Sequence, residues 1–142
     1  MLQNRFKKIL VALDGSISSR RGLNEAISLA RQSEATITAI HVLPGFPRTV
    51  GLSKDGENRI LAHVRKFLSD AKVNTGRHGI EFDEKIVKSN DVVAAISNHA
   101  KTGKYDIVVI GSRGIGSPTA EYFGSVANGV LHDSSVPVLL VK

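Results

Sequence analysis

The alternation of apolar runs with helix-period segments along the whole chain constrains its fold more than any other feature. Lys8-Ile9-Leu10-Val11-Ala12-Leu13 is nearly continuous in apolar residues, the pattern of a strand buried on both faces. It stops at Asp14-Gly15-Ser16, which are turn and helix-capping residues. Leu23, Ala26, Ile27 and Ala30 then recur at helical spacing. Ala35 to Leu43 is β-branched and reads as a second strand. Ile60, Leu61, Val64, Phe67, Leu68 and Ala71 mark a second helix. Glu81 to Lys88 is a third strand, weakened by Asp83, Glu84 and Lys85, and Asn90 or Asp91 caps a third helix carrying Val92, Val93 and Ile96. Asp106 to Ile110 is a fourth, buried strand, and Val126, Val130 and Leu131 suggest a short fourth helix. Val136 to Val141 closes the chain as a fifth strand, placed at a sheet edge because Pro137 has no N–H.

Strands that alternate with helices take right-handed crossovers, which gives a parallel sheet covered on both faces. At 142 residues, without tandem repeat or linker, the expectation is one α/β domain, residues 1–142, with five strands ordered 3-2-1-4-5. In such sheets ligands sit beyond the carboxyl ends of the strands, where the strand order reverses. Here that crevice lies between strands 1 and 4, beside Asp14-Gly15-Ser16 and Gly111-Ser112-Arg113-Gly114. Pro44 to Gly56 reads as a long loop following strand 2, and a lid over the crevice is expected of it.

Composition removes several classes of function. The absence of Cys excludes disulfides, thiolate metal sites and cysteine catalysis. Nothing approaches a membrane span, and Met1 to Lys8 lacks the apolar stretch of a signal peptide, so a cytoplasmic location is expected. The net charge of +6 is scattered in doublets such as Lys7-Lys8 and Arg20-Arg21 and is not interleaved with aromatics. That argues for a solvated basic surface and against nucleic acid as partner.

Gly111-x-x-Gly114-x9-Gly124-Ser125 is the sharpest local signal. Glycines let backbone N–H groups approach an anion, and Gly124-Ser125 opens a predicted helix whose N-terminus favours negative charge. The alternative is that these glycines only shape a tight strand-to-helix connection. Better-known phosphate motifs fail: Ser117 stands where a P-loop needs Lys, and Thr119 breaks G-x-G-x-x-G. No G-x-S-x-G elbow and no H-x-x-x-H pair occurs. His41 lies close to the crevice, where a strand-end histidine is more often structural.

The same residues resemble the universal stress protein family, in its ATP-binding branch. The glycine motif matches G-x2-G-x9-G-[S/T]; Ile9 to Ser16 is similar to that family's opening strand, Ala39-Ile40-His41-Val42 to its second, and Ser134 to Val141 to its last. The resemblance implies that Ala12, Leu13 and Asp14, with Ser16, border a nucleoside, and that the Val42 backbone reads the adenine edge. It implies that Gly111, Ser112, Arg113, Gly114, Gly124, Ser125 and Val126 line the ribose and phosphate path. Ala12 departs from the family's frequent Pro, and Gly116-Ser117-Pro118-Thr119 is unlike the common pattern. The implied cofactor is ATP, or ADP or AMP, with Mg²⁺, and the implied assembly is a homodimer through Val136 to Val141. The implied role is a nucleotide-dependent regulatory module in stress response. The alternative is a weak ATPase or a nucleotidyl or phosphoryl transferase, for which no general base paired with a nucleophile is visible.

Overall fold

The computed structural model describes residues 6–45, 53–113 and 124–142. Its elements run in the expected alternation: β1 (Lys8–Ala12), α1 (Ile17–Ser33), β2 (Thr36–Leu43), α2 (Lys54–Gly76), β3 (Phe82–Lys88), α3 (Val92–Thr102), β4 (Ile107–Gly111), α4 (Ser125–Asp133) and β5 (Val138–Val141). All pairings are parallel, and the sheet order is β3-β2-β1-β4-β5, as the sequence implies. β1 is central, with Ile9, Leu10 and Val11 fully buried, which is why its sequence reads as an unbroken apolar run.

The alternation of side chains along the strands divides the core into two layers. One layer joins Ile9, Val11, Ile37 and Val109 to Leu23, Ala26 and Ile27 of α1 and Val64 and Leu68 of α2. The other joins Leu10, Ile40, Val108 and Ile110 to Ile96 of α3 and Ala127 and Val130 of α4. Each fully buried Leu, Ile or Val contributes about 1.5–3 kcal/mol, so the two layers are a main favourable contribution to the sheet.

Helix starts follow local chemistry. Ser16 caps α1 by accepting from the Ser19 N–H at 3.1 Å, and Asp91 caps α3 by accepting from Ala94 at 3.0 Å. Asn90 is not the cap; its Oδ1 accepts from the Gly45 N–H at 2.8 Å instead. The stretch after β2 differs from expectation at its end. Ser53 caps α2 through Gly56 N–H at 3.1 Å, so Lys54 to Gly56 are helical rather than loop, with Asp55 and Glu57 at the positive end of the helix. The remainder of the expected lid, residues 46–52, lies outside the described residues. β5 starts at Val138, two residues later than expected, because the Val136 N–H is taken by Ser134 Oγ at 3.1 Å. The Pro137 carbonyl still accepts from Val108 N–H at 2.9 Å, and β5 is an edge strand.

Candidate functional site

The turns after β1 and β4 meet above the sheet. β1 pairing continues past its end, with Leu13 N–H donating to Ile40 O at 3.0 Å. Asp14 then folds the chain by accepting the Ser16 N–H on Oδ1 at 2.9 Å, and Gly15 takes a φ of +84°, which L side chains rarely adopt. A second set of bonds ties this turn to the one after β4. Arg113 N–H donates to Ser18 Oγ at 3.2 Å, and Ser16 Oγ donates to Arg113 O at 3.5 Å. Ser112 is buried; its N–H donates to Val141 O at 2.7 Å, and its carbonyl accepts from Gly124 N–H at 2.6 Å.

Between the turns lies a cavity of about 160 Å³. One wall is apolar, made by Ile40 and Val42 of β2, Ile110 of β4, and Val92 and Ile96 of α3. The other is polar: Asp14, Ser16 and Arg113, with Gly124, Ser125 and Val126 at the start of α4. Gly124 is the N-cap of that helix, and no side-chain hydrogen bond caps it. The uncapped first turn presents backbone N–H groups and the positive end of the helix dipole.

Of the residues singled out in the sequence, Ala12, Leu13, Asp14, Ser16, Val42, Gly111, Arg113, Gly124, Ser125 and Val126 all line this cavity. Ser112 does not; its backbone ties the end of β4 to Val141 of β5 and to Gly124 at the start of α4. Gly114 lies outside the described residues. The glycine at 111 also has a packing reason of its own. A Cβ there would lie 2.6 Å from the backbone carbon of Ser18, so the close approach of α1 to β4 already requires it. Ser19, Ile40, Val92, Ile96, Ile110 and Ala127 line the cavity without having been anticipated. For Val92 and Ile96 the i, i+4 spacing was a signal, but it marks an apolar helix face and not what that face covers.

His41 reaches the cavity from the opposite core layer. Its Nδ1 lies 2.7 Å from Leu13 O; a carbonyl only accepts, so Nδ1 carries the proton. The ring packs edge-on against Phe67 at 5.2 Å, and Phe67 packs in the same manner against His63 at 5.6 Å. Burial pushes the His41 imidazole below the ordinary histidine range. The bond to Leu13 and the Asp14 charge pull the other way, and His63 adds to the lowering. His41 therefore acts as a prop beneath the β1–α1 turn. Among the described residues no group of three His, Asp or Glu is placed to hold a metal ion.

The fold recurs in known proteins. The chain is 31% identical to a universal stress protein of Bacillus subtilis, over 96% of this chain and 99% of that one. A universal stress protein of Lactobacillus plantarum has the same fold, with a TM-score of 0.86 at 21% identity over 97% of this chain and 99% of that one. The universal stress protein of Archaeoglobus fulgidus in complex with dAMP superposes with a TM-score of 0.76 at 26% identity, covering 97% and 99% of the two chains. The sequence model of the universal stress protein family matches residues 5–142, and the chain belongs to that family.

Proposed function

We propose that this protein is a nucleotide-dependent regulatory module that binds an adenine nucleotide in the cavity at the strand ends. The observation that carries the reading is the division of that cavity between an apolar wall and an uncapped helix N-terminus. A purine ring is flat and apolar on its faces, and the space against Ile40, Val42, Val92, Ile96 and Ile110 suits it. The Asp14 carboxylate, held by Ser16 N–H, is an acceptor for ribose hydroxyls. Ser125 and Val126, in the uncapped first turn, offer N–H groups to phosphate oxygens, Gly124 leaves room beside them, and Arg113 adds a cation. The dAMP complex of the Archaeoglobus fulgidus relative supports the adenylate part of the assignment.

ATP with Mg²⁺ fits the donor set in one sense only. With no cluster of three protein ligands among the described residues, the ion would be carried by phosphate oxygens and water, with Asp14 as the carboxylate that lines the cavity. The residues lining the cavity bind and orient; none of the hydrogen bonds described joins a side-chain nucleophile to a general base there. The protein as purified is denatured and any released nucleotide is weighed by mass spectrometry. ATP, ADP, AMP and adenosine are then titrated, with phosphate release followed in parallel. Micromolar adenine-nucleotide binding with negligible turnover is expected. Turnover that scales with enzyme concentration would instead make it an ATPase or transferase, and no binding would remove the reading.

The same reading includes a homodimer. β5 is an edge strand, and Leu139 is 37% exposed on it. Unpaired apolar edges are sites that proteins cover, and pairing of two copies across a two-fold axis covers this one.

A further inference from the structure

A second cavity, of about 310 Å³, lies between α1 and α2 on the other face of the sheet. That size is at the lower end of small-molecule sites, roughly 300–1,000 Å³. Its floor is apolar, made by Leu23 of α1 and by Phe67 and Ala71 of α2. Leu23 and Ala71 are buried. One end is closed by an amide pair, Asn74 Nδ2 donating to Asn24 Oδ1 at 3.2 Å. Its rim carries one charge of each sign, Arg20 from α1 and Asp70 from α2, both solvent-exposed. Although the two line one cavity, no ion pair joins them, and among the described residues neither has another ionic partner.

An apolar floor beneath two separated, opposite charges is the complement of a molecule with an apolar body and both charges at one end. We propose that this groove binds a small zwitterion of the apolar α-amino-acid type, with its carboxylate on Arg20, its ammonium on Asp70 and its side chain on Phe67 and Leu23. Arg presents a planar fork that matches a carboxylate in two-point geometry, and Asp accepts from an ammonium. An acid or an amine alone would leave one rim charge without a partner. A neutral apolar molecule would use the floor and neither charge. The groove also touches the first cavity's structure: Leu13 and Ser19 line both, and a Cβ on Gly15 would lie 3.0 Å from the Phe67 ring. An occupant pressing on Phe67 therefore presses on the β1–α1 turn.

The test uses the full chain without nucleotide, so it is independent of the nucleotide assignment. L-leucine, L-methionine and L-phenylalanine are titrated by calorimetry and by ¹⁵N-correlation spectra that follow the Asn24 and Asn74 side-chain amides. Saturable binding of at least one is expected by about 20 mM, the concentration at which even a weak millimolar site fills. The methyl ester, which lacks the carboxylate charge, and the N-acetyl derivative, which lacks the ammonium, should each bind roughly tenfold more weakly. Arg20→Gln should erase the difference between amino acid and ester, and Asp70→Asn the difference between amino acid and N-acetyl derivative. Arg21→Gln, an exposed neighbour outside the groove, should change neither. Absence of saturable binding by all three amino acids overturns the proposal. So does binding that both substitutions leave intact, or derivatives that bind as well as their parents.

Discussion

The cavity at the strand ends and the groove between α1 and α2 meet at Leu13 and Ser19 but are built of different material. The first is assembled from turns and from a helix N-terminus, so backbone N–H groups share its polar wall with Asp14, Ser16 and Arg113. The second is assembled from two helix surfaces, so its polar groups are side chains: Arg20, Asn24, Asp70 and Asn74. Backbone donors are positioned by the fold and survive most substitutions around them. Side-chain charges can be exchanged one at a time at little cost to the fold. A site of the first kind suits a ligand common to many relatives, and one of the second kind suits a ligand particular to one.

The largest effect that would break this contrast is at Gly124. Its φ of −59° and ψ of 155° are open to any residue, so Gly124→Val should fold, as circular dichroism would verify. Gly124 lines the cavity, and a branched side chain there would compete for the space proposed for phosphate. Loss of two or three charge-assisted hydrogen bonds at about 1.5–3 kcal/mol each lowers ATP affinity at least about a hundredfold. Adenosine should lose much less, and equal losses for the two ligands by calorimetry would show that the helix N-terminus does not hold phosphate.

At Gly111 the expected loss is of stability. A Cβ 2.6 Å from the Ser18 backbone cannot be absorbed by a rotamer change, and Gly111→Ala should cost about 1–3 kcal/mol in urea unfolding. An unchanged midpoint would mean that α1 is free to shift away from β4. The proposed dimer gives a third expectation. Val138→Lys places a charge on the edge strand and should weaken self-association about tenfold or more, read as a monomeric mass in light scattering at micromolar concentration. A monomeric unsubstituted protein would end the matter.

Coupling between the cavities sharpens the comparison further. If an amino acid in the groove alters AMP affinity, AMP must alter amino-acid affinity by the same factor, typically about fivefold or more for coupled sites. Reciprocal titrations measure both, and Gly15→Ala, in the wall between them, should change the factor. The smallest effect expected is that of pH. The His41 imidazole titrates below its unfolded-state range, so the unfolded chain takes up protons first as pH falls. Stability is therefore full above about pH 6.5 and declines as pH drops from there toward the folded-state value. His99 is lowered too, by burial and by Lys85, and contributes in the same direction. His41→Gln should flatten part of that slope in urea midpoints measured between about pH 7.5 and 5.5. A slope left unchanged would mean that the imidazole beneath Leu13 does not titrate with folding.

The strand order and the crevice were legible in the sequence because they depend on burial, which writes itself into apolar runs. β1 is the clearest case: three fully buried residues in a row admit few other readings. Asp91 as a cap was legible to within one residue. The start of α2 was not, because Gly56 in the helix's first turn reads as a breaker unless the cap at Ser53 is recognised. Val92 and Ile96 were seen as helical and not as cavity walls, since nothing local says where a crossover helix lands. Arg20 and Asp70, fifty residues apart in the chain, each look like solvated helix charges, and only the packing of α1 beside α2 makes them neighbours of one space.

The strand order also has a consequence for synthesis. β1 emerges early and pairs with β2 on one side, but its other edge waits for β4 at Ile107. Until then the nascent chain carries an unpaired edge on a strand that is apolar from Ile9 to Ala12, the kind of surface on which chains associate wrongly. The α1–α2 groove needs no residue beyond Asn74, whereas the strand-end cavity needs Ala127. A ligand of the groove can therefore meet the unfinished chain on the ribosome. A ligand of the strand-end cavity binds only after the last crossover and acts as a latch on the completed sheet.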